Sequence, residues 1–173
     1  LEPRGACLQG DSSGIMALHI PRLAWRYRLP ELELASIPDW EQKVDAIARR
    51  CLRSNVATVV GLPSWTLLLF RRLVELGREE LGQHVSSVAD VWPSLRVLIH
   101  FGMAFEPYRG QFEEIVGRPI AYVDTYSSSE AGMTAIQADQ GDPSMLMELD
   151  VGTFYEFVPF AELGRPSPAR LTL

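Results

Sequence analysis

One lysine, Lys43, stands against fifteen arginines in the 173-residue chain. That bias reads as genomic rather than functional, yet it limits any mechanism that needs a lysine at the reacting atoms. Cysteine is scarce as well. Cys7 and Cys51 lie in no paired motif, so neither a disulfide framework nor a cysteine zinc site is predicted. Cys51 falls on an apolar helical face and reads as a buried free thiol, which suits a reducing cytoplasm; a stapling disulfide stays open. The three histidines, His19, His84 and His100, show no spacing that would build a triad or a metal site. Positive charge is short too. A net charge of −6 argues against non-specific binding to nucleic acid or to an acidic membrane. No apolar run reaches the ~18 residues that a membrane span requires. There is no charged-then-apolar leader, so a cytoplasmic protein is expected. The first residue is Leu1 and not methionine, which reads as a fragment or a processed product.

What is present is enough for a core. Hydrophobic residues make up 47% and charged residues 22% of the chain, the balance of an ordinary globular domain rather than of a disordered segment. Residues 1–36 carry no clear period and read as an irregular lead-in, with Leu32, Leu34 and Ile37 hinting at a strand. Asp39 and Gln42 form a capping box ahead of Trp40, Val44, Ile47, Ala48, Cys51 and Leu52 at helical spacing. Strand and helix patterns then alternate. A β-branched run over 56–60 precedes a helix over about 65–81, and an apolar run over 95–101 precedes a helix over 107–116 with Gly117 as its stop. A third strand follows over 120–126. Beyond it the spacing shortens, with strands expected over 133–138, 145–149 and 154–158. The pattern predicts an α/β fold with a mixed sheet. Residues 37–126 supply βαβ units, 127–160 an antiparallel meander, and 161–173 a loop or tail.

In an open α/β sheet, ligands gather at the carboxyl ends of the parallel strands. Three such ends carry polar, turn-like segments: Gly61 to Ser64, Gly102 to Ala104, and Tyr126 to Glu130. The last is the richest. An aromatic ring, the hydroxyls of Ser127, Ser128 and Ser129, and the Glu130 carboxylate follow a buried strand in direct succession. A ring suits a base or sugar, hydroxyls and amides suit phosphate oxygens, and a carboxylate suits Mg²⁺. An ordinary serine-rich turn explains the same letters. Other features favour bland explanations. Gly10-Asp11-Ser12-Ser13-Gly14 lacks the spacing and the strand–helix context of a nucleophile elbow. His100, within an apolar strand, reads as a satisfied core histidine. Trp25, Trp40, Trp65 and Trp92 read as core or interface packing, and Arg22, Arg26 and Arg28 as solvated surface.

The segment Tyr126-Ser127-Ser128-Ser129-Glu130 resembles the aromatic–small–Ser/Thr–Glu motif of adenylate-forming enzymes. Its context narrows the likeness. Pro38 to Lys43, Gly61 to Trp65, Ile99 to Tyr108 and Leu149 to Pro159 stand around it in the order of the acyl-acid amido synthetases, whose plant members conjugate auxin and jasmonate to amino acids. The likeness spans about residues 30–160 and implies the large domain of an adenylate-forming ligase. It implies ATP and Mg²⁺ as cofactors, with a small carboxylic acid and an amino acid as substrates. On this chain it implies Glu130 as the metal ligand, Tyr126, Ser127, Ser128 and Ser129 around the nucleotide, and Gly102, Met103 and Ala104 as the backbone edge along it. Met133 and Tyr155 become candidate walls of the acyl pocket, against plain core packing for each. The family's N-terminal phosphate loop, its later ribose-binding aspartate and its small C-terminal domain have no counterpart in the 173 residues. The expectation is therefore a central fragment, not competent by itself, and inclined to dimerise if truncated. The alternative is a non-catalytic α/β module that binds a ligand or another chain.

Overall fold

The computed structural model describes residues 2–4, 7–9, 19–128 and 130–172. At the start, β1 (Glu2–Arg4) and β2 (Cys7–Gln9) form an antiparallel pair. A 3-10 turn occupies Arg22–Tyr27, and α1 spans Leu32–Ala35. The strand hinted at by Leu32, Leu34 and Ile37 is therefore a helical turn. Leu32, Leu34 and Ile37 do not keep a period of two, and the amide and hydroxyl of Ser36 both find the Leu32 carbonyl locally.

Helix α2 (Trp40–Leu52) starts where Asp39 caps it, its carboxylate accepting the Gln42 amide at 2.8 Å. Then come β3 (Thr58–Gly61), α3 (Pro63–Glu80), α4 (Val88–Val91), β4 (Val97–Phe101), α5 (Arg109–Val116) and β5 (Ala121–Ser128). Pro63 opens α3, where a missing N–H costs nothing. Gly117 closes α5 at φ 76°, the left-handed region that glycine enters freely. Helix α4 lay outside the sequence pattern because one turn is too short to show a period. It is held by Ser87 and Asp90, which cap each other across the first turn.

The main sheet has five strands in the order β3-β4-β5-β6-β7, with β6 at Gly132–Gln137 and β7 at Met145–Met147. β3, β4 and β5 run parallel, and β5, β6 and β7 antiparallel. The mixed α/β sheet and its meander are thus present as expected, with one correction. The third meander strand leaves the sheet: β8 (Glu156–Phe157) pairs with β9 (Leu171–Thr172) instead. Part of the C-terminal segment is therefore ordered as strand and as a 3-10 turn at Phe160–Glu162. The parallel strands also begin later than the apolar runs that announce them, at Thr58 and Val97.

Right-handed crossovers that step in one direction put both connecting helices on one face. That face is the core. Leu98 and Tyr122 from the sheet meet Phe70, Leu73 and Leu76 of α3 and Phe112 and Val116 of α5. Phe70 sits edge-on to both Trp92 and Phe112, at 5.9 and 5.8 Å between ring centres, a geometry that adds to area burial. Trp92 is fully buried and donates its ring N–H to the Cys51 carbonyl at 3.0 Å. The other tryptophans lie outside the core: Trp25, Trp40 and Trp65 are about half exposed, the last two in edge contact. Cys51 is free and buried, and burial pushes its thiol up to about 11, which makes it inert. The opposite face of the sheet is apolar yet open, with Val60 63% and Leu146 64% exposed.

One detail of β5 bears on the site. β6 pairs with it only from Thr125 onward. The preceding amides of Tyr122 and Asp124 are met by side chains, Gln140 Oε1 at 2.9 Å and Gln137 Oε1 at 3.3 Å. Two glutamines thereby continue a ladder that the backbone does not. Among the described residues, no helix is long and apolar enough to cross a membrane.

Candidate functional site at the strand ends

Register decides where the polar segments lie. Gly61 stands beside His100, and Phe101 beside Thr125, in adjacent parallel strands. The segments that leave these strands therefore emerge on one edge. Contact confirms it: a β-carbon built on Gly102 would come within 2.8 Å of Leu62 Cδ2. Only glycine fits there, since Gly102 also sits at φ 78°. Met103 and Ala104 follow it in the exposed turn. α3 starts at Pro63 on the same edge, so its positive N-terminal end faces in that direction too.

The third segment is the hairpin between β5 and β6. Its register slips between Tyr126 and Ser127: Tyr126 faces Ala135 and Ser127 faces Met133, leaving Thr134 as the extra residue of a bulge. Bulges bend a strand and re-aim the side chains beyond them. Thr134 secures this one by donating its hydroxyl to the Tyr126 carbonyl at 3.2 Å. Tyr126, 63% exposed, projects from the strand end. Ser127 is exposed beside it. Ser128 pairs with Gly132 across the turn, and Gly132 reverses the chain at φ 74°. The Ser128 hydroxyl accepts the Ala131 amide at 3.1 Å. Its own proton remains available to a second acceptor. Glu130 lies exposed at the tip of the turn. Ser129 falls outside the described residues, as does the Gly10 to Gly14 segment.

Among the described residues, no group of three or more His, Cys, Asp or Glu side chains is placed to hold a metal ion. A lone, solvent-facing carboxylate is the wrong donor set for an all-protein metal cage. It fits Mg²⁺ that arrives with phosphate and keeps its waters, because that ion takes one or two carboxylates and completes its octahedron from substrate.

The two acyl-pocket candidates stand on different segments. Met133, 41% exposed, is in the hairpin opposite Ser127. A chain of bonds runs from Tyr155 toward it: the Tyr155 hydroxyl donates to the Glu148 carbonyl at 3.0 Å, and Glu148, just past β7, donates its amide to the carbonyl of Thr134, the residue after Met133. That hydroxyl is thereby committed to the backbone.

Several residues that shape the edge escaped sequence reasoning. The Thr125 hydroxyl donates to the His100 carbonyl at 3.1 Å, tying β5 to β4 one residue before Tyr126. Thr134 makes the bulge bond, and Leu62 packs on Gly102. Single threonines and a leucine carry no signal of such roles. His100 is buried as expected but is not satisfied. Its Nδ1 lies 3.3 Å from Asp124 Oδ1 without the alignment of a hydrogen bond. Its ring stacks on Phe105 at 4.2 Å. Burial holds the imidazole below its usual range; Asp124 pulls against that shift and Arg109 reinforces it. Tyr122, on the same sheet face, has its hydroxyl buried without a partner, and burial followed by Glu113 pushes it up to about 12.

The family model described as "GH3 family N-terminal domain" matches residues 8–120, which is more than half of the chain. No curated protein matches it. The matched region contains α2, the β3-α3-β4 unit, the Gly102 turn and α5, and ends just before β5. The chain belongs to the GH3 family, the acyl-acid amido synthetases of the adenylate-forming superfamily.

Proposed function

We propose that this chain forms the nucleotide edge of an ATP-dependent ligase that activates a carboxylic acid as its acyl-adenylate and passes the acyl group to an amine, an amino acid by preference. The observation that supports this is the shared edge: the parallel register of β3, β4 and β5 leaves the segments that start at Leu62, Gly102 and Tyr126 on one side of the sheet, with Leu62 against Gly102, and the bulged hairpin carries Ser127, Ser128 and Glu130 on from β5. Family membership supports the reaction class.

The carboxylate of the acid attacks the α-phosphate of ATP, pyrophosphate leaves, and the amine then displaces AMP to give an amide. Two anions must meet in the first step. Bound magnesium would supply charge neutralisation along the phosphates, and Glu130 is the residue that would hold it. The free proton on Ser128 and the hydroxyl of Ser127 would donate to phosphate oxygens. Ser129 is assigned with them from the sequence. Tyr126 would cover the adenine or ribose, while Gly102, Met103 and Ala104 offer a backbone edge with little side-chain bulk. Met133 and Tyr155 would be walls of the acyl pocket, Tyr155 with its hydroxyl held by the Glu148 carbonyl. Residues 1–173 would be one piece of the adenylation domain, and its open apolar sheet face would make the isolated chain associate with itself.

The test is calorimetric. Mg·ATP is titrated into the chain and into Glu130→Gln, with pyrophosphate exchange measured in the longest form of the protein. Loss of Mg²⁺-dependent affinity in the variant supports the metal role; unchanged affinity and exchange refute it. One observation favours a second, non-catalytic reading. The chain's only lysine, Lys43, lies on α2, outside the three segments that make the edge. Mg·ATP binding with no exchange in any form containing these residues would select that reading.

A further inference from the structure

β4 and β5 each carry one half of the candidate nucleotide edge, and one pair of side chains joins them just beneath it. His100 and Asp124 occupy the same row of the sheet. His100 is two residues before Gly102, and Asp124 is two residues before Tyr126. The imidazole side chain is 3% exposed, so its nitrogen has no water to replace a missing partner. At 3.3 Å from the Asp124 carboxylate it is close enough to bond and not aligned to do so. Such a gap closes by a small rotation or a slight approach of the two strands.

We infer that His100 and Asp124 form a positioning pair, which aligns when a nucleotide draws the Gly102 turn and the Tyr126 end of β5 together. The inference rests on the nucleotide reading of that edge. A buried polar atom that gains its partner only in the bound state contributes to binding and not to the free protein. Misaligned bonds in an empty site that tighten with ligand are a general property of such sites.

The pair has a signature that a passive core histidine lacks. Alignment with a carboxylate favours the charged imidazole. Nucleotide binding must therefore raise the affinity of His100 for its proton, and by linkage a lower pH must tighten nucleotide binding. The groups around the ring set the size of the effect. Asp124 and Tyr122 face it from β5; Arg109 approaches from α5, over the Phe105 and Tyr122 rings at 5.2 and 5.7 Å and bonded to Glu106. Glu113 of α5 acts on Tyr122. Of these, Asp124 alone is near enough to His100 to accept from it in the structure.

The chain has three histidines, so each can be followed by NMR. The His100 resonance is titrated with and without Mg·ATP. A rise in its pKa on binding that Asp124→Asn abolishes supports the pair; an unchanged value in wild type, or an equal rise in Asp124→Asn, overturns it. Calorimetry of Mg·ATP at pH 6 and pH 8 is the second arm, with His100→Gln and Asp124→Asn. Wild type is expected to bind about tenfold more tightly at pH 6, the size expected of one buried bond gained, and both variants to lose that dependence while keeping a cooperative melt. Binding with superimposable pH profiles in all three overturns the inference alone. No binding by any of them at either pH overturns the proposed function and the inference with it.

Discussion

Gly102 and Leu62 interlock: the space that a side chain on Gly102 would take, 2.8 Å away, is held by the Cδ2 methyl of Leu62 from the neighbouring strand end. Substituting Gly102→Ala sets a β-carbon into that space and forces an L-residue to φ 78°. The backbone strain costs about 1–2 kcal/mol, and the leucine methyl must move as well. We expect a melting temperature lower by several degrees and Mg·ATP affinity reduced by more than Leu62→Ala reduces it. Thermal melts and calorimetry on the two variants check this.

The Ser128 hydroxyl has two separable duties. It accepts the Ala131 amide within the turn, and in the proposed function it would donate its proton to a phosphate oxygen. Ser128→Ala removes both and should cost about 0.5–1.5 kcal/mol of stability, the worth of one ordinary hydrogen bond. Ser128→Asp keeps an acceptor and removes the donor, adding a negative charge. It should preserve the melt and abolish Mg·ATP affinity. Equal affinity in Ser128→Asp and wild type would remove Ser128 from the site.

Much of this was legible in the residues, and the reason is period. α2, α3 and α5 announce themselves because each buries one face over two or more turns. The parallel order of β3, β4 and β5 follows from the strand–helix alternation. What escaped depends on pairing between distant residues. Nothing in Phe154 to Val158 reveals that its partner is Leu171–Thr172 rather than β7. The bulge at Thr134, the glutamine caps on Tyr122 and Asp124, and the misaligned His100 are equally silent, since each depends on a register that no local pattern records. Within the site, the order of aromatic ring, hydroxyls and carboxylate could be read. The bond that commits the Tyr155 hydroxyl to the Glu148 carbonyl could not.

Asp90 makes stability depend on acid. One of its oxygens receives the amides and hydroxyls of both Ser86 and Ser87, at 2.9 to 3.0 Å. The Ser86 amide first, then the Ser87 hydroxyl and amide, hold the carboxyl at about 2, below its ordinary 3.8. A depressed carboxyl contributes stability that is present above the unfolded value and lost as pH falls toward the folded one. Wild type should therefore lose stability between about pH 4 and pH 2 that Asp90→Asn does not lose. At neutral pH the variant should be weaker by about 1 kcal/mol, as for a lost helix cap. Melts across that pH range check both signs.

Phe70 is the centre of the aromatic cluster against Trp92 and Phe112. It is fully buried. Phe70→Ala should cost about 3–5 kcal/mol, enough to unfold a marginal domain. Phe70→Leu should retain the fold at lower stability. Denaturant midpoints measure both, and a cost under 1 kcal/mol for the alanine would contradict the placement of the core.

The central claim is that the bulged hairpin at the end of β5 holds a metal-bound triphosphate. Manganese in place of magnesium reports this directly, because it broadens the amide resonances of residues close to it. With Mn·ATP the account predicts broadening centred on Ser128, Glu130, Ala131 and Gly132, weaker at Gly102 and Met103, and absent in Glu130→Gln. Broadening centred instead on the acidic turn at Asp139 and Asp142, or none at the hairpin with ATP bound, would contradict it.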